Sequence, residues 1–381
     1  MSRAFDKAVE LRHCLHRIPE LAGQEKKTCA AIREVLTAIP GIRVLPPYLQ
    51  TDTVAFIDGN APGKNITLRA DIDALAVTEA TGAAFASEHP GKMHACGHDV
   101  HSAILYGAAL ELSDRRKDFS GSIRLVFQPG EEGLAMAKDL IAAGALTSPA
   151  PDFVAALHCE PGLPVGCIGV KNGAMASSCL HFEVTFYGKG GHGSMPHLSR
   201  NPLSAAAVAL TELQNVVGNR INTQRPAVVS VCRFSGGNAD NVIPNDCFFA
   251  GTLRALDDET AAELLTIVKD VCSAVATLYK VSCEVKTNGE YPATVNPVSG
   301  VKLAQKVAAD CGIQIFNLTE SAMSSEDFSC FLLSSPDGVF VRLGAGETQP
   351  PLHNRKFLPP DEIIRNGIKY TVQLALEYLG N

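Results

Sequence analysis

Residues 65–70, NITLRA, read as a short strand buried on both faces, and the chain leaves it on two aspartates, Asp71 and Asp73. Short apolar runs of this kind are typical of parallel strands covered on both sides. The same pattern recurs. SIRLVFQ (122–128) is followed by Pro-Gly and then Glu131 and Glu132. FVAAL (153–157) is followed by His158, and a run at 338–343 leads through a glycine-rich loop to His353. Helical periodicity fills the gaps at 4–17, 28–38, 100–112, 135–143, 297–311 and 361–379. Alternating strands and helices predict an α/β fold with a mixed, mostly parallel sheet flanked by helices.

Near Ser177 the pattern changes. Strands are expected at 182–187, 227–234, 246–254 and 281–286, with helices at 202–217 and 258–279. The order β-α-β-β-α-β is that of a split, ferredoxin-like α+β unit. The chain therefore reads as a main domain in two parts, 1–176 and 292–381, with an inserted domain at 177–291.

The chain has 381 residues, of which 46% are hydrophobic and 19% charged, with a formal net charge of −7. That balance suits a globular protein with a large core. No Lys/Arg run stands out, so nucleic acid is not an expected partner. The N-terminal MSRAFDKAVELRHCLHRIPEL lacks the apolar stretch of a signal peptide, and no segment reaches the length of a membrane span. A soluble, cytoplasmic protein without a membrane partner is expected. The twelve cysteines are scattered singly without a CxxC pair, which predicts free thiols.

Cys96 is an exception to the reading of cysteines as inert core residues. Residues 93–101, MHACGHDVH, place it with His94, His98, Asp99 and His101 at a loop-to-helix junction. Such a density of thiol and imidazole suits a transition-metal site. Ligands in open α/β sheets gather beyond the carboxyl ends of the strands. Asp71, Glu131, Glu132, His158 and His353 all follow predicted strands, so they are expected at one rim with Cys96 and His98.

These segments resemble peptidase family M20 amidohydrolases, in the subgroup of aminoacylase-, hippurate hydrolase- and auxin-conjugate hydrolase-like enzymes. The matching stretches are RADIDAL (69–75), PGKMHACGHDVHSA (90–103), FQPGEEG (127–133), LHCEPGLPVG (157–166), GKGGHGSMPH (188–197), GGNADNVIP (236–244), GTLR (251–254), SSEDF (324–328) and PLHN (351–354). They run in family order over nearly the whole chain. The resemblance implies an aminopeptidase-like catalytic domain with the insertion as lid and dimerisation domain. It also implies two divalent metal ions per subunit, with Cys96, His98, Glu132, His158 and His353 as ligands. A thiolate in that set favours manganese or zinc, with cobalt or nickel also suited, over magnesium or calcium.

The resemblance further implies hydrolysis of the amide bond of N-acyl amino acids by a hydroxide held between the metals. Glu131 is the expected general base, Asp71 the aspartate that orients a ligand histidine, and His192 the group that stabilises the oxyanion, often across a homodimer. Asn241 and Arg254 are the expected substrate contacts. Arg69 stands where other members of the family carry a ligand histidine. Gly130 replaces a usual alanine, a change expected to be harmless, and Arg233 suggests a lid that favours an anionic substrate. An N-acetyl-diaminopimelate deacetylase or a dipeptidase shares the same motifs. A cysteine hydrolase using Cys96, and a non-catalytic metal-dependent binding protein, are the rivals from other classes.

Overall fold

The computed structural model describes residues 2–380. The chain forms two units. The first contains the residues up to Met175, Val295–Glu320 and those from Asp327 onward; the second contains Ala176–Thr294 and Ser321–Glu326.

The first unit is built on an eight-stranded sheet. Its order is Ile42–Val44, Thr53–Asp58, Ser122–Gln128, Asn65–Asp71, Phe153–Pro161, Gly338–Gly346, Ile168–Val170 and Ile315–Asn317. The middle of the sheet is parallel: Asn65–Asp71 pairs with Ser122–Gln128 and with Phe153–Pro161, which pairs in turn with Gly338–Gly346. Every residue of Asn65–Asp71 is buried, as expected of a strand covered on both faces. Alternate residues serve opposite cores. Leu125 and Phe127 pack with Leu15, Ile104 and Leu374, whereas Val126 packs with Leu140, Phe328 and Phe340.

Helix His98–Asp114 starts two residues before the position that periodicity predicts. Gly97 explains the difference. It sits at φ +88°, and a Cβ there would lie 3.0 Å from the Cys159 sulfur. A left-handed glycine turns the chain sharply from Cys96 into the helix, so His98 and His101 share one face, three residues apart. The same helix crosses Glu362–Leu379 closely. A Cβ on Gly107 would come within 2.2 Å of Ile368, and a Cβ on Gly367 within 2.4 Å of Ile104.

Ion pairs fasten Ser2–Arg17 to this core. Arg12 and His16 both bond Asp99, at 3.2 and 2.9 Å, and Arg12 also reaches Asp361. Burial would lower the pKa of His16, but the charge and hydrogen bond of Asp99, with help from Glu79, raise it to about 9.

The second unit has a four-stranded antiparallel sheet, ordered Ala227–Ser235, Asp246–Ala255, Ser178–Tyr187 and Ser282–Tyr291. Along Asp246–Ala255 buried and less buried residues alternate, the mark of a sheet covered on one face. Cys247, Phe249 and Leu253 pack there with Leu213, Leu264 and Ile267 from helices Pro202–Arg220 and Asp258–Tyr279. Those helices begin where their caps dictate: the Asn201 side chain accepts from the Leu203 N–H ahead of Pro202, and Asp257 accepts from the Thr260 N–H. The segment 321–326 joins this unit through the Ser177 N–H, which reaches the carbonyls of Ala322 and Ser324. Among the described residues no helix is long and apolar enough to cross a membrane.

Candidate metal centre and its surroundings

The rim of the first unit's sheet gathers the predicted donors. His98 opens its helix, and His158 lies within the strand Phe153–Pro161, which runs past the predicted end at Leu157. The Cys96 sulfur is 3.4 Å from Nε2 of His158. Donor atoms of Cys96, Glu132 and His353 lie within 4.8 Å of one another, as do those of His98, Glu131 and Glu132. The five residues Cys96, His98, Glu132, His158 and His353 therefore form one connected cluster, with Glu131 beside it.

Local structure accounts for the placement. The loop carrying His353 is tied to the Cys96 segment, because the His353 N–H donates to the Ala95 carbonyl at 2.8 Å; His353 itself sits at φ +66°. Its Nε2 lies 3.0 Å from a Glu132 carboxylate oxygen. Gly130 takes φ +64°, and a Cβ there would meet the Met136 sulfur at 2.3 Å. The glycine expected to be a harmless replacement is thus the residue this turn favours. The Gly130 N–H donates to buried Glu25 at 2.9 Å, which steadies the approach to Glu131.

Two aspartates stand behind the cluster. Asp71 accepts from Nδ1 of His101 at 2.6 Å and from Arg69 at 2.7 Å. Asp73 accepts from Nδ1 of His98 at 3.1 Å and from the Glu132 N–H at 2.8 Å. Asp71, expected to orient a ligand histidine, is hydrogen-bonded to His101, outside the predicted ligand set; the carboxylate bonded to the ligand candidate His98 is Asp73, to which sequence reasoning assigned no role. The signal was present in RADIDAL, where a second aspartate lies two residues beyond the last residue of the strand.

The electrostatics follow from burial and neighbours. Burial would lower the pKa of His98, but Asp71, Asp73 and Glu132 raise it to about 10. Burial pushes the Cys96 thiol well above its usual range, and Glu132, Glu131 and Asp71 push it further. Burial, with the nearby Arg342 cation adding to it, holds His158 well below the usual imidazole range, so it is neutral. A thiol, several carboxylates and neutral imidazole facing one another form a donor set that binding of dications would compensate. Nε2 of His98 is buried without a hydrogen-bond partner among the described residues. The residues present therefore fit divalent ions.

The remaining candidates lie in the second unit. His192 pairs with Val242 across a two-stranded ladder, and the Gly193 N–H donates to the Asn241 carbonyl at 2.8 Å. His192 and Asn241 are thus neighbours, and both are exposed. Nδ1 of His192 accepts from the Ser194 N–H at 3.2 Å, so the neutral ring carries its hydrogen on Nε2. Arg254 is half-buried and donates to the Met323 carbonyl at 3.0 Å. Arg233 is bonded to Glu183 at 2.8 Å and lies over the Phe248 ring. All twelve cysteines are free.

The profile of peptidase family M20/M25/M40 matches residues 67–377. The chain belongs to this family, and as a member it is a metal-dependent hydrolase of amide or peptide bonds. It is 36% identical to an N-acetylcysteine deacetylase of Bacillus subtilis, over 97% of this chain and 96% of that protein. It is 33% identical to an N-acetyldiaminopimelate deacetylase of the same organism, over 98% of each. The crystal structure of the Bacillus subtilis YXEP protein, a dinuclear metal-binding peptidase from the M20 family, superposes with a TM-score of 0.87 at 32% identity. That match covers 100% of this chain and 99% of the other.

Proposed function

We propose that this protein removes the acyl group from N-acyl amino acids by metal-dependent hydrolysis, with Glu131 as the general base. The observation that carries the reading is the convergence of Cys96, His98, Glu132, His158 and His353, with a second glutamate, Glu131, within 4.8 Å of His98. Those five residues would hold two divalent ions, manganese or zinc by preference, cobalt or nickel by the same donor chemistry. When bound, the ions supply polarisation of the amide carbonyl and acidification of water.

The chain's own groups do the rest. The Glu131 carboxylate takes a proton from the attacking water and passes it to the leaving nitrogen, so that the carboxylate is regenerated. Asp71 and Asp73 hold the imidazoles behind the centre. His192 presents Nε2–H, a donor suited to a developing oxyanion. Asn241 and Arg254 serve as substrate contacts, Arg254 with the donors it does not spend on Met323. We assign a homodimer through the second unit, with His192 acting across subunits; exposed Met195, Leu198 and Val242 near the histidine support it. A monomer in light scattering would remove the cross-subunit role.

A cysteine hydrolase is disfavoured, since nucleophilic cysteines have lowered pKa values and that of Cys96 is raised. A binding protein without turnover gives Glu131 no task. The test is amine release from N-acyl amino acids, N-acetyl-diaminopimelate and dipeptides, with manganese-loaded and chelated protein side by side. Metal-dependent release with acyl amino acids fastest is the expected result. A faster rate on acetyl-diaminopimelate or dipeptides would move the substrate assignment, and no release from folded, metal-loaded protein would overturn it.

A further inference from the structure

We propose that His101 and Arg69 are positioning residues that set the ring of His158 through the backbone of Cys159. The inference rests on the metal-dependent reading above. A strand fixes the backbone of His158 but leaves its ring free to turn. Two hydrogen bonds on the next residue remove that freedom. The Cys159 carbonyl lies 2.8 Å from Nδ1 of His158. A carbonyl can only accept, so the neutral ring carries its hydrogen on Nδ1, and the bare Nε2 faces the Cys96 sulfur.

The Cys159 N–H donates to Nε2 of His101 at 2.8 Å. An N–H can only donate, so His101 carries its hydrogen on Nδ1 and gives it to Asp71 at 2.6 Å. The Nε2 lone pair of His101 is therefore spent on the backbone. His101 is within reach of His98, His158 and Asp71, yet its tautomer makes it a support and not an ion ligand.

The support continues behind Asp71. Arg69 donates to Asp71 at 2.7 Å and to Asp327 at 2.8 Å, and its Nε reaches Gln128 at 2.8 Å. Asp327 also accepts from Gln128 at 2.7 Å and from the Ala137 N–H at 3.0 Å. The side chains of Arg69, Asp71, Asp327 and His101 are buried to within 1%. A buried network of satisfied partners is rigid, and only a planar guanidinium spans two carboxylates in this way. The chain from Asp327 through Arg69, Asp71, His101 and Cys159 thus ends on the ring of His158.

The test uses full-length protein with 15N-labelled histidine, first free of metal and then titrated with Zn2+. His101→Gln keeps an acceptor near the place of Nε2, whereas His101→Asn keeps a donor toward Asp71 and loses the reach to Cys159. The native protein is expected to show Nδ1–H tautomers for His101 and His158 and to bind two Zn2+. His101→Asn is expected to show mixed His158 tautomers and to bind Zn2+ about ten- to a hundredfold more weakly at one site. His101→Gln should keep the native His158 tautomer and most of the affinity. Arg69→Lys should weaken the same site, by less than His101→Asn. A folded His101→Asn protein with native His158 tautomer and native Zn2+ affinity would overturn the proposal. If the native protein binds no Zn2+, the metal-dependent reading fails, and the metal-free tautomers still decide the role of His101.

Discussion

Asp73 accepts the Nδ1 hydrogen of His98 at 3.1 Å. Its other oxygen takes the backbone N–H of Glu132 at 2.8 Å. One carboxylate thereby fixes a helix-borne imidazole and a loop-borne glutamate relative to each other. Asp73→Asn replaces an acceptor with an amide NH2 on one side, so one of the two bonds must be lost. Metal affinity should fall about ten- to a hundredfold, read by calorimetric titration. Unchanged affinity would remove Asp73 from the support of the centre.

Glu131 and Glu132 are adjacent but differ in surroundings. Glu132 is engaged with His353 and Asp73, through its carboxylate and its N–H respectively, whereas Glu131 is the assigned base. Glu131→Gln keeps the shape and removes the base. We expect kcat to fall by about two to four orders of magnitude while two metals still bind. A variant with native turnover would sink the assignment, and one that loses a metal would make Glu131 a ligand.

The pair of His16 and Asp99 makes stability depend on pH. The folded-state pKa of His16 is raised from 6.5 to about 9. Its contribution is therefore complete below pH 6.5 and is lost as pH rises through about 9. The shift corresponds to roughly 3 kcal/mol. In metal-free protein, the urea midpoint should fall more steeply between pH 6.5 and about 9 for the native chain than for His16→Gln. Parallel curves would show that the pair contributes no pH dependence.

Gly107→Ala tests the crossing of helices His98–Asp114 and Glu362–Leu379. Propensity alone favours alanine by about 1 kcal/mol. The new methyl would lie 2.2 Å from Ile368 Cδ1, and overpacking of a filled core costs about 1–3 kcal/mol. A net loss of thermal stability is expected, with Ile368→Val restoring part of it. A stabilised Gly107→Ala protein would mean that the helices separate at little cost.

Much of this molecule was legible in its sequence, for physical reasons. Ser122–Gln128 and Asp258–Tyr279 appear with the predicted ends, the first because an apolar run stops at Pro-Gly, the second because Asp257 caps it. The donors could be read from strand ends, since the sheet brings such ends to one rim. Short strands such as Ile168–Val170 and Ile315–Asn317 carry too few residues for any period to show. Thr53–Asp58 is held by its antiparallel neighbour Ser122–Gln128, a contact that local pattern does not encode. The link from His101 to His158 could not be read either, because its central member is the backbone of Cys159, which any residue but proline would offer.

The sheet order carries a consequence for synthesis. Gly338–Gly346 lies between Phe153–Pro161 and Ile168–Val170. A ribosome therefore completes all of the second unit's strands, Ser178–Tyr187 through Ser282–Tyr291, before it makes the strand that seals the first unit. Until then Phe153–Pro161 presents an open row of backbone donors and acceptors, the kind of edge that recruits chaperones or other chains. Nascent chains arrested before Gly346 should stay bound to such helpers, and release should follow the emergence of that one late strand.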